Sequence, residues 1–455
     1  MTNPEINRRS FIKRSTAGVA AFSIIPSYVL SGQGNAAPSD RLNIAFVGLR
    51  RPIEEFASTE NIVALCDVDD SQGTDLNDQF PKAKRYRDYR KMLEQEKSID
   101  AVVINTPDHS HAVIAMAAMQ LGKHVYCEKP MTRLLWESAK LREAAKRYNV
   151  VTQMGNQGQS DEGVRMTKEW LDAGAIGQVR EVHCWTDRPI WPQGIQRPEP
   201  EPVPDHLDWD LWIGPVKKRP YSSNYHRFSW RGWWDFGTGA LGDMGCHILN
   251  APFYALELDN PVSVYASFNR PNLSPRVPGP RYNAYDKVKD ETFPSSSMVH
   301  YKFAEKSHRG EIDLHWYDGG LKPKRPEAFE MRRSFPGNGA LYIGDKGVLM
   351  SSGWLGGSPR LVPETAMQEF ELPPKTIERI DCSHQQNWVR ACKGQGKPTS
   401  DFEYASDLNE VVLLGNLAIR SEGDLVQWDR KNMKVTNIPD LNEYVNQEYR
   451  KGWSL

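Results

Sequence analysis

The sequence predicts an α/β doubly wound parallel sheet followed by a second, α+β domain built on a large, mainly antiparallel sheet. Three observations predict it. At 455 residues the chain is long enough for two cores. Up to about residue 160 short apolar runs alternate with helix-like stretches. Beyond it, strand-like alternation of apolar and polar residues takes over. The division is a leader at 1–37, a Rossmann-like domain at 38–160 and a substrate-binding domain at 161–455.

The first segment is an address rather than part of the fold. Asn7-Arg8-Arg9-Ser10-Phe11-Ile12-Lys13 is a twin-arginine pattern, followed by an apolar stretch from Ala17 to Leu30 and small residues at Asn35-Ala36-Ala37. That order of parts predicts export to the periplasm or beyond, with cleavage near Ala37. Free organic cofactors are scarce there, so an enzyme that depends on one is expected to hold it tightly and regenerate it within its own cycle.

The first strand, Asn43 to Gly48, is an apolar run ending in glycine, as buried parallel strands read. Ile62 to Asp67 is the second, Ala101 to Asn105 another, His124 to Cys127 another, and Val150 to Met154 the last of this half. Helix-like stretches lie between them at Tyr89 to Leu93, His111 to Leu121 and Trp136 to Arg147. A strand ending at Gly48, with the acid Asp67 closing the next, is the skeleton of a dinucleotide site. The carboxylate would accept from both ribose hydroxyls and repel a 2′-phosphate, which favours NAD over NADP. The G-x-G-x-x-G loop itself is absent: Gly48-Leu49-Arg50-Arg51-Pro52-Ile53 keeps one of its three glycines. Arg50 and Arg51 could replace that cradle by charge. The following helix has room for only about two turns before Asn61.

His124 to Cys127 runs into Glu128-Lys129-Pro130. A lysine there stands at the carboxyl edge of a parallel strand, where open α/β sheets bind ligands. Its ammonium could hold a substrate hydroxyl while hydride leaves the carbon.

In the second half, strands are expected at Val179 to Trp185, Val262 to Phe268, Ser297 to Phe303 and Gly310 to Trp316, a hairpin turn at Gly344-Asp345-Lys346-Gly347, and a late helix at Val411 to Arg420 with the preceding Glu403-Tyr404. Gly242-Asp243-Met244-Gly245-Cys246-His247 places Asp243 and His247 one helical turn apart on one face. Seven of the 14 tryptophans fall between Trp185 and Trp234. Such rings stack on sugar faces or pack as core. Trp234, Tyr225 and His226 are the candidate pocket residues because they precede Asp243 closely.

Net charge is −1, which offers no electrostatic case for nucleic acid or an anionic membrane, and no apolar run after the leader is long enough to span a bilayer. The six cysteines form no C-x-x-C pair, and ligand spacing along the chain supports no metal site.

With Asn105-Thr106-Pro107-Asp108-His109-Ser110-His111, Glu128-Lys129-Pro130 and Gly242 to His247, the chain resembles the Gfo/Idh/MocA family over everything after the leader. Gly155 to Gln159 and Trp316 to Gly320 resemble its exported members. The resemblance implies an NAD-dependent oxidoreductase acting on a sugar or polyol, and a homo-oligomer. Lys129, His247 and Asp243 would be catalytic. Gly48, Asp67, Asn105, Thr106, Pro107, His111, Glu128 and Gln157 would bind cofactor. Two other readings stand beside it: a redox-neutral glycosidase resembling glycoside hydrolase family 109, and a non-catalytic sugar-binding homologue with a degenerate nucleotide loop.

Overall fold

A computed structural model describes residues 40–49, 53–269 and 288–455. The leader expected at 1–37, and Arg50 and Arg51, lie outside the described residues.

Six parallel strands form the first sheet: β1 (Asn43–Val47), β2 (Asn61–Cys66), β3 (Lys84–Tyr86), β4 (Ala101–Ile104), β5 (His124–Glu128) and β6 (Thr152–Gly155). Their order is β3-β2-β1-β4-β5-β6, the doubly wound arrangement. β1 and β4 are buried on both faces, which is why they read as unbroken apolar runs. The winding reverses between β1 and β4. The residues that follow those strands, Gly48 and Asn105, therefore flank the crevice in which such sheets bind ligands.

The helix after β1 is short, Ile53–Ala57, as the spacing predicts. Five residues cannot cover that face of the sheet, and the chain returns much later to finish it. Helix His384–Cys392 sets Trp388, fully buried, against Phe56 at 5.9 Å and Tyr126 at 5.7 Å between ring centroids. This revises the expected division at residue 160, because 384–392 belongs to the packing of the first sheet.

The second sheet has seven strands: β7 (Val179–Trp185), β8 (Ser263–Phe268), β9 (Ser297–Phe303), β10 (Ile312–Tyr317), β11 (Gly339–Gly344), β12 (Val348–Ser352) and β13 (Pro359–Val362). Their order is β13-β12-β11-β7-β10-β9-β8, antiparallel throughout except for the central β7–β10 pair. The expected turn joins β11 to β12, where the Gly344 N–H donates to Gly347 O at 3.0 Å. The late helix is longer than the sequence predicts, Phe402–Arg420, because Asp401 caps it by accepting from the Tyr404 N–H at 3.0 Å. It packs on helix Leu135–Tyr148 of the first half and on β8 and β9 of the second. One apolar cluster accordingly runs from Val47 and Ile104 to Leu314 and Trp316.

The Trp-rich stretch between β7 and helix Gly239–Ile248 is ordered and docks on the far edge of the crevice. The Asp208 N–H donates to Val68 O and the Asp70 N–H to His206 O, each at 2.9 Å. Among the described residues no helix is long and apolar enough to cross a membrane.

Candidate active site

A cavity of about 330 Å³ opens at the carboxyl ends of β1, β2, β4 and β5. Gly48, Asp67, Asn105, Thr106, Pro107, Glu128 and Lys129 line one side; Trp212, His226, Arg227, Trp230 and Arg231 of the docked stretch line the other.

The turn after β1 explains the one glycine that remains. Gly48 has φ +88°, and a Cβ there would lie 2.7 Å from the Asn105 carbonyl. The strand end can approach the β4 turn this closely only without a side chain. Asp67 is locked beside it: Oδ2 accepts from the Leu49 N–H at 2.9 Å and Oδ1 from the Asp69 N–H at 3.0 Å. The Asp67 carboxylate lines the cavity at the end of β2, where a ligand hydroxyl can donate to it. The Thr106 hydroxyl is buried without a partner. A strand-end acid, a glycine turn and an unpartnered hydroxyl at one crevice fit the ribose and nicotinamide ends of a dinucleotide.

Lys129 and Asp243 meet at helix Gly239–Ile248. The Lys129 ammonium donates to Asp243 Oδ1 at 2.9 Å and to the Asp243 carbonyl at 2.6 Å. Arg231 Nε donates to the same Oδ1 at 3.1 Å, with its guanidinium 4.2 Å from the centre of the Trp230 ring. Burial pushes the Asp243 carboxyl up, but the charges and hydrogen bonds of Lys129 and Arg231 outweigh it and hold the group well below the usual carboxylate range. The side chains of Lys129 and Asp243 are only 15% and 14% exposed, so the pair is screened little by water. An ammonium has three donors, and two are occupied here. The third is available to a ligand in the cavity that Lys129 lines.

Helix packing sets this geometry. Gly242 precedes Asp243 because a Cβ at that position would fall 1.9 Å from the Thr238 hydroxyl oxygen. That hydroxyl donates to buried Asp108 at 2.6 Å, linking helix Gly239–Ile248 to the turn after β4.

His247 lies one turn beyond Asp243, buried, with its Nδ1 unpartnered and its ring 4.9 Å from that of Trp354, edge to face. Burial, and then Lys129, push its imidazole well below the ordinary value, so it is neutral at neutral pH. The Asp243 carboxylate is engaged by Lys129 and Arg231. Burial raises Glu128 to about 7. Gln157 sits behind Glu128, donating from Nε2 to its Oε1 at 3.4 Å, and so supports the wall rather than lining it.

Three expected residues are placed elsewhere. His111 was expected against the nicotinamide, but the first turn of helix Asp108–Gln120 buries it. Its Nδ1 lies 2.8 Å from Pro130 O and its Nε2 2.8 Å from Thr106 O, so it clamps the turn after β4 to the Lys129 loop. Trp234 lies outside the cavity. Its ring stacks on Phe293 and under Arg420, and its Nε1 donates to Lys289 O at 2.9 Å. Tyr225 is core, packed against Trp233 and Phe236. Closeness in sequence to Asp243 did not mean closeness in space, because the short helical turn Ser229–Gly232 lies between them and only Trp230 and Arg231 of this run reach the cavity. His226 does line it, 3.2 Å from Asp69.

Sequence reasoning missed Trp354. It is 44% exposed beside His247, in the loop between β12 and β13. A tryptophan set among Gly353, Gly356 and Gly357 was the available signal, since such a turn has little core to fill.

Comparison with known proteins agrees with this fold. Residues 42–156 match the model of an oxidoreductase family with an NAD-binding Rossmann fold, and 167–277 match the C-terminal alpha/beta domain of the same family. The inositol 2-dehydrogenase of Salmonella typhimurium is 31% identical over 137 residues, 30% of this chain and 40% of that protein. The levoglucosan dehydrogenase of Pseudarthrobacter phenanthrenivorans is 37% identical over 92 residues, 20% and 23% of the two chains. Both matches span less than half the relative's length. The fold matches the Bordetella pertussis WlbA dehydrogenase, solved with NADH and UDP-GlcNAcA, at a TM-score of 0.58 and 16% identity over 86% of this chain and 99% of that one.

Proposed function

We propose, for a chain that belongs to the Gfo/Idh/MocA oxidoreductase family through both of its domains, an NAD-dependent oxidoreductase that oxidises a carbinol carbon of a sugar or polyol. The observation that carries the reading is Lys129, lining the cavity with two donors held by Asp243 and a third available. When bound, the oxidised nicotinamide supplies a hydride acceptor. Lys129 directs its third N–H to the substrate hydroxyl oxygen and stabilises the negative charge that develops there. His247, neutral in its buried setting, takes the hydroxyl proton. Asp243 keeps the ammonium aimed and charged, and Arg231 shares its oxygen. Trp354 offers a flat apolar face beside His247 for the C–H face of a ring. Asp67 selects the unphosphorylated ribose of NAD.

The proposal extends to compartment and cycle. Residues 1–37 direct twin-arginine export, and the cofactor is retained, with the hydride returned to a second carbonyl compound. The twin-arginine pattern supports the first. The docked stretch supports the second: buried Asp69 holds His206 at 2.7 Å and His226 at 3.2 Å, closing the far rim of the cavity.

The test begins with the ligand that denatured protein releases. Nicotinamide absorbance and the mass of NAD are expected, followed by reduction of the bound cofactor on mixing with sugars and polyols. Release of aglycone from aryl glycosides without net reduction would replace this reading with the redox-neutral glycosidase. A protein that neither carries nor binds NAD would defeat both. Export is tested by changing Arg8 and Arg9 to Lys, which should leave the protein in the cytoplasm; unchanged export would refute the leader.

A further inference from the structure

The face of the second sheet turned away from the late helix carries a ladder of histidines across adjacent strands. His183 of β7 pairs in register with His315 of β10, which pairs in register with His300 of β9. Glu181, two residues before His183, lies on the same face. Its Oε1 is 3.1 Å from His183 Nε2 and 3.2 Å from His315 Nε2.

Three features distinguish this cluster from a solvated surface patch. First, both imidazoles converge on one carboxylate oxygen, and one ligand atom from each of the three residues lies within 4.8 Å of the others. In a tetrahedral zinc site with bonds of about 2.0–2.1 Å, ligand atoms are roughly 3.3 Å apart. Two of the three separations are already at that value, and side-chain rotation would close the third. Second, the opposite ring nitrogens are anchored. His183 Nδ1 is 3.0 Å from the Tyr317 hydroxyl, and His315 Nδ1 is 2.7 Å from His300 Nδ1. Metal-binding imidazoles are held in this way, because a partner on one nitrogen fixes the tautomer that leaves the other free to coordinate. Third, the donors are graded from inside to outside: the His183 side chain is 8% exposed, His315 18% and Glu181 41%. The cluster thus opens outward on the carboxylate side.

We propose that Glu181, His183 and His315 form a divalent transition-metal site suited to Zn²⁺, independent of the nicotinamide crevice. Two imidazoles and a carboxylate are a donor set that zinc accepts, and three protein ligands leave the fourth position to water. Asp313, opposite Glu181 in register, adds negative charge on the same sheet. Spacing along the chain cannot reveal such a site, because β7 and β10 lie far apart in sequence and the sheet brings them together.

The test uses the full chain, stripped with a chelator and titrated with zinc chloride by calorimetry, with bound metal counted by elemental analysis. One zinc per chain is expected, and cobalt(II) should give the visible spectrum of a low-coordinate nitrogen–oxygen site. Glu181→Gln, at a half-exposed position, should weaken binding at least roughly tenfold, and His315→Gln should abolish it. His300→Gln should weaken binding by roughly 10–100-fold, as loss of an outer partner does. Circular dichroism of the metal-free variants reports whether each is folded. A wild-type protein that binds no zinc would overturn the site. So would folded Glu181→Gln and His315→Gln variants that bind it as the wild type does, since the metal would then sit elsewhere, for example on a free thiol.

Discussion

Replacing Lys129 with Ala removes the one donor aimed at the substrate oxygen. A donor of this kind, directed at charge that develops in the transition state, contributes about 2.7–4 kcal/mol, so kcat/KM should fall roughly 10²–10³-fold. The structural cost should be much smaller. Asp243 loses hydrogen bonds of 2.9 and 2.6 Å but keeps Arg231 at 3.1 Å on the same oxygen. The carboxylate therefore retains a cation, and the space vacated by the lysine adjoins the cavity, where water can enter. A loss of about 1 kcal/mol of stability follows, rather than the 3–5 kcal/mol of an orphaned buried charge. NAD affinity should change little, because the groups placed on the cofactor are Asp67 and the turns after β1 and β4. The assay is single-turnover reduction of bound nicotinamide, alongside urea denaturation and NAD titration. Turnover within threefold of wild type in a folded, NAD-loaded variant would refute the role assigned to Lys129. Equal loss of turnover and of folding would mean that the lysine acts on the architecture instead.

Asp67→Asn keeps an acceptor for the Leu49 N–H but removes the charge. NAD should bind roughly ten- to a hundredfold more weakly and NADP should gain relative to it, as cofactor titrations would show. Trp354→Ala removes the exposed ring beside His247 and should raise KM about tenfold with kcat largely preserved; steady-state kinetics separates the two. The pH profile follows from His247. Burial lowers its proton affinity, so the base remains neutral as pH falls through 6.5, and protonation removes activity only below that point. The acid limb of kcat/KM should therefore lie clearly below 6.5, and a limb at 6.5 or above would show that His247 is not the base.

The first sheet was legible because its inner strands are buried on both faces, so that β1, β2, β4 and β5 stand out as apolar runs. β7 and β9 were legible to the residue: β9 alternates between buried and more exposed positions, and β7 is buried from Val182 to its end at Trp185. β3 was not: Lys84-Arg85-Tyr86 is a three-residue edge strand with two exposed side chains, and nothing in it demands burial. The middle of helix Phe402–Arg420 was obscured by buried polar residues: Asn409, whose partner Thr132 lies in the first half of the chain, and Glu410, which accepts from Trp428 beyond the helix. Helix Glu162–Asp172 went unread, because Arg165 and Glu169 are buried in pairings with the segment at 376–379 and mask its apolar stripe. In the site, motif spacing singled out Lys129, Thr106 and Asp67, which line the crevice, and Asp243, which the Lys129 ammonium contacts. It misjudged Trp234 and Tyr225, since a single helical turn sends neighbours in sequence to opposite sides of a wall. It could not find Trp354 or the histidine ladder, which tertiary pairing creates.

The most direct test of the account is hydride transfer within the purified protein. A sugar deuterated at the reacting carbon, mixed with the cofactor-loaded enzyme for one turnover, should leave deuterium on the nicotinamide released on denaturation. The same experiment with Lys129→Ala should leave almost none. Cofactor that is present but unlabelled across a broad panel of deuterated sugars and polyols, with wild-type protein folded throughout, would contradict the claim that the crevice around Lys129 oxidises a carbinol carbon.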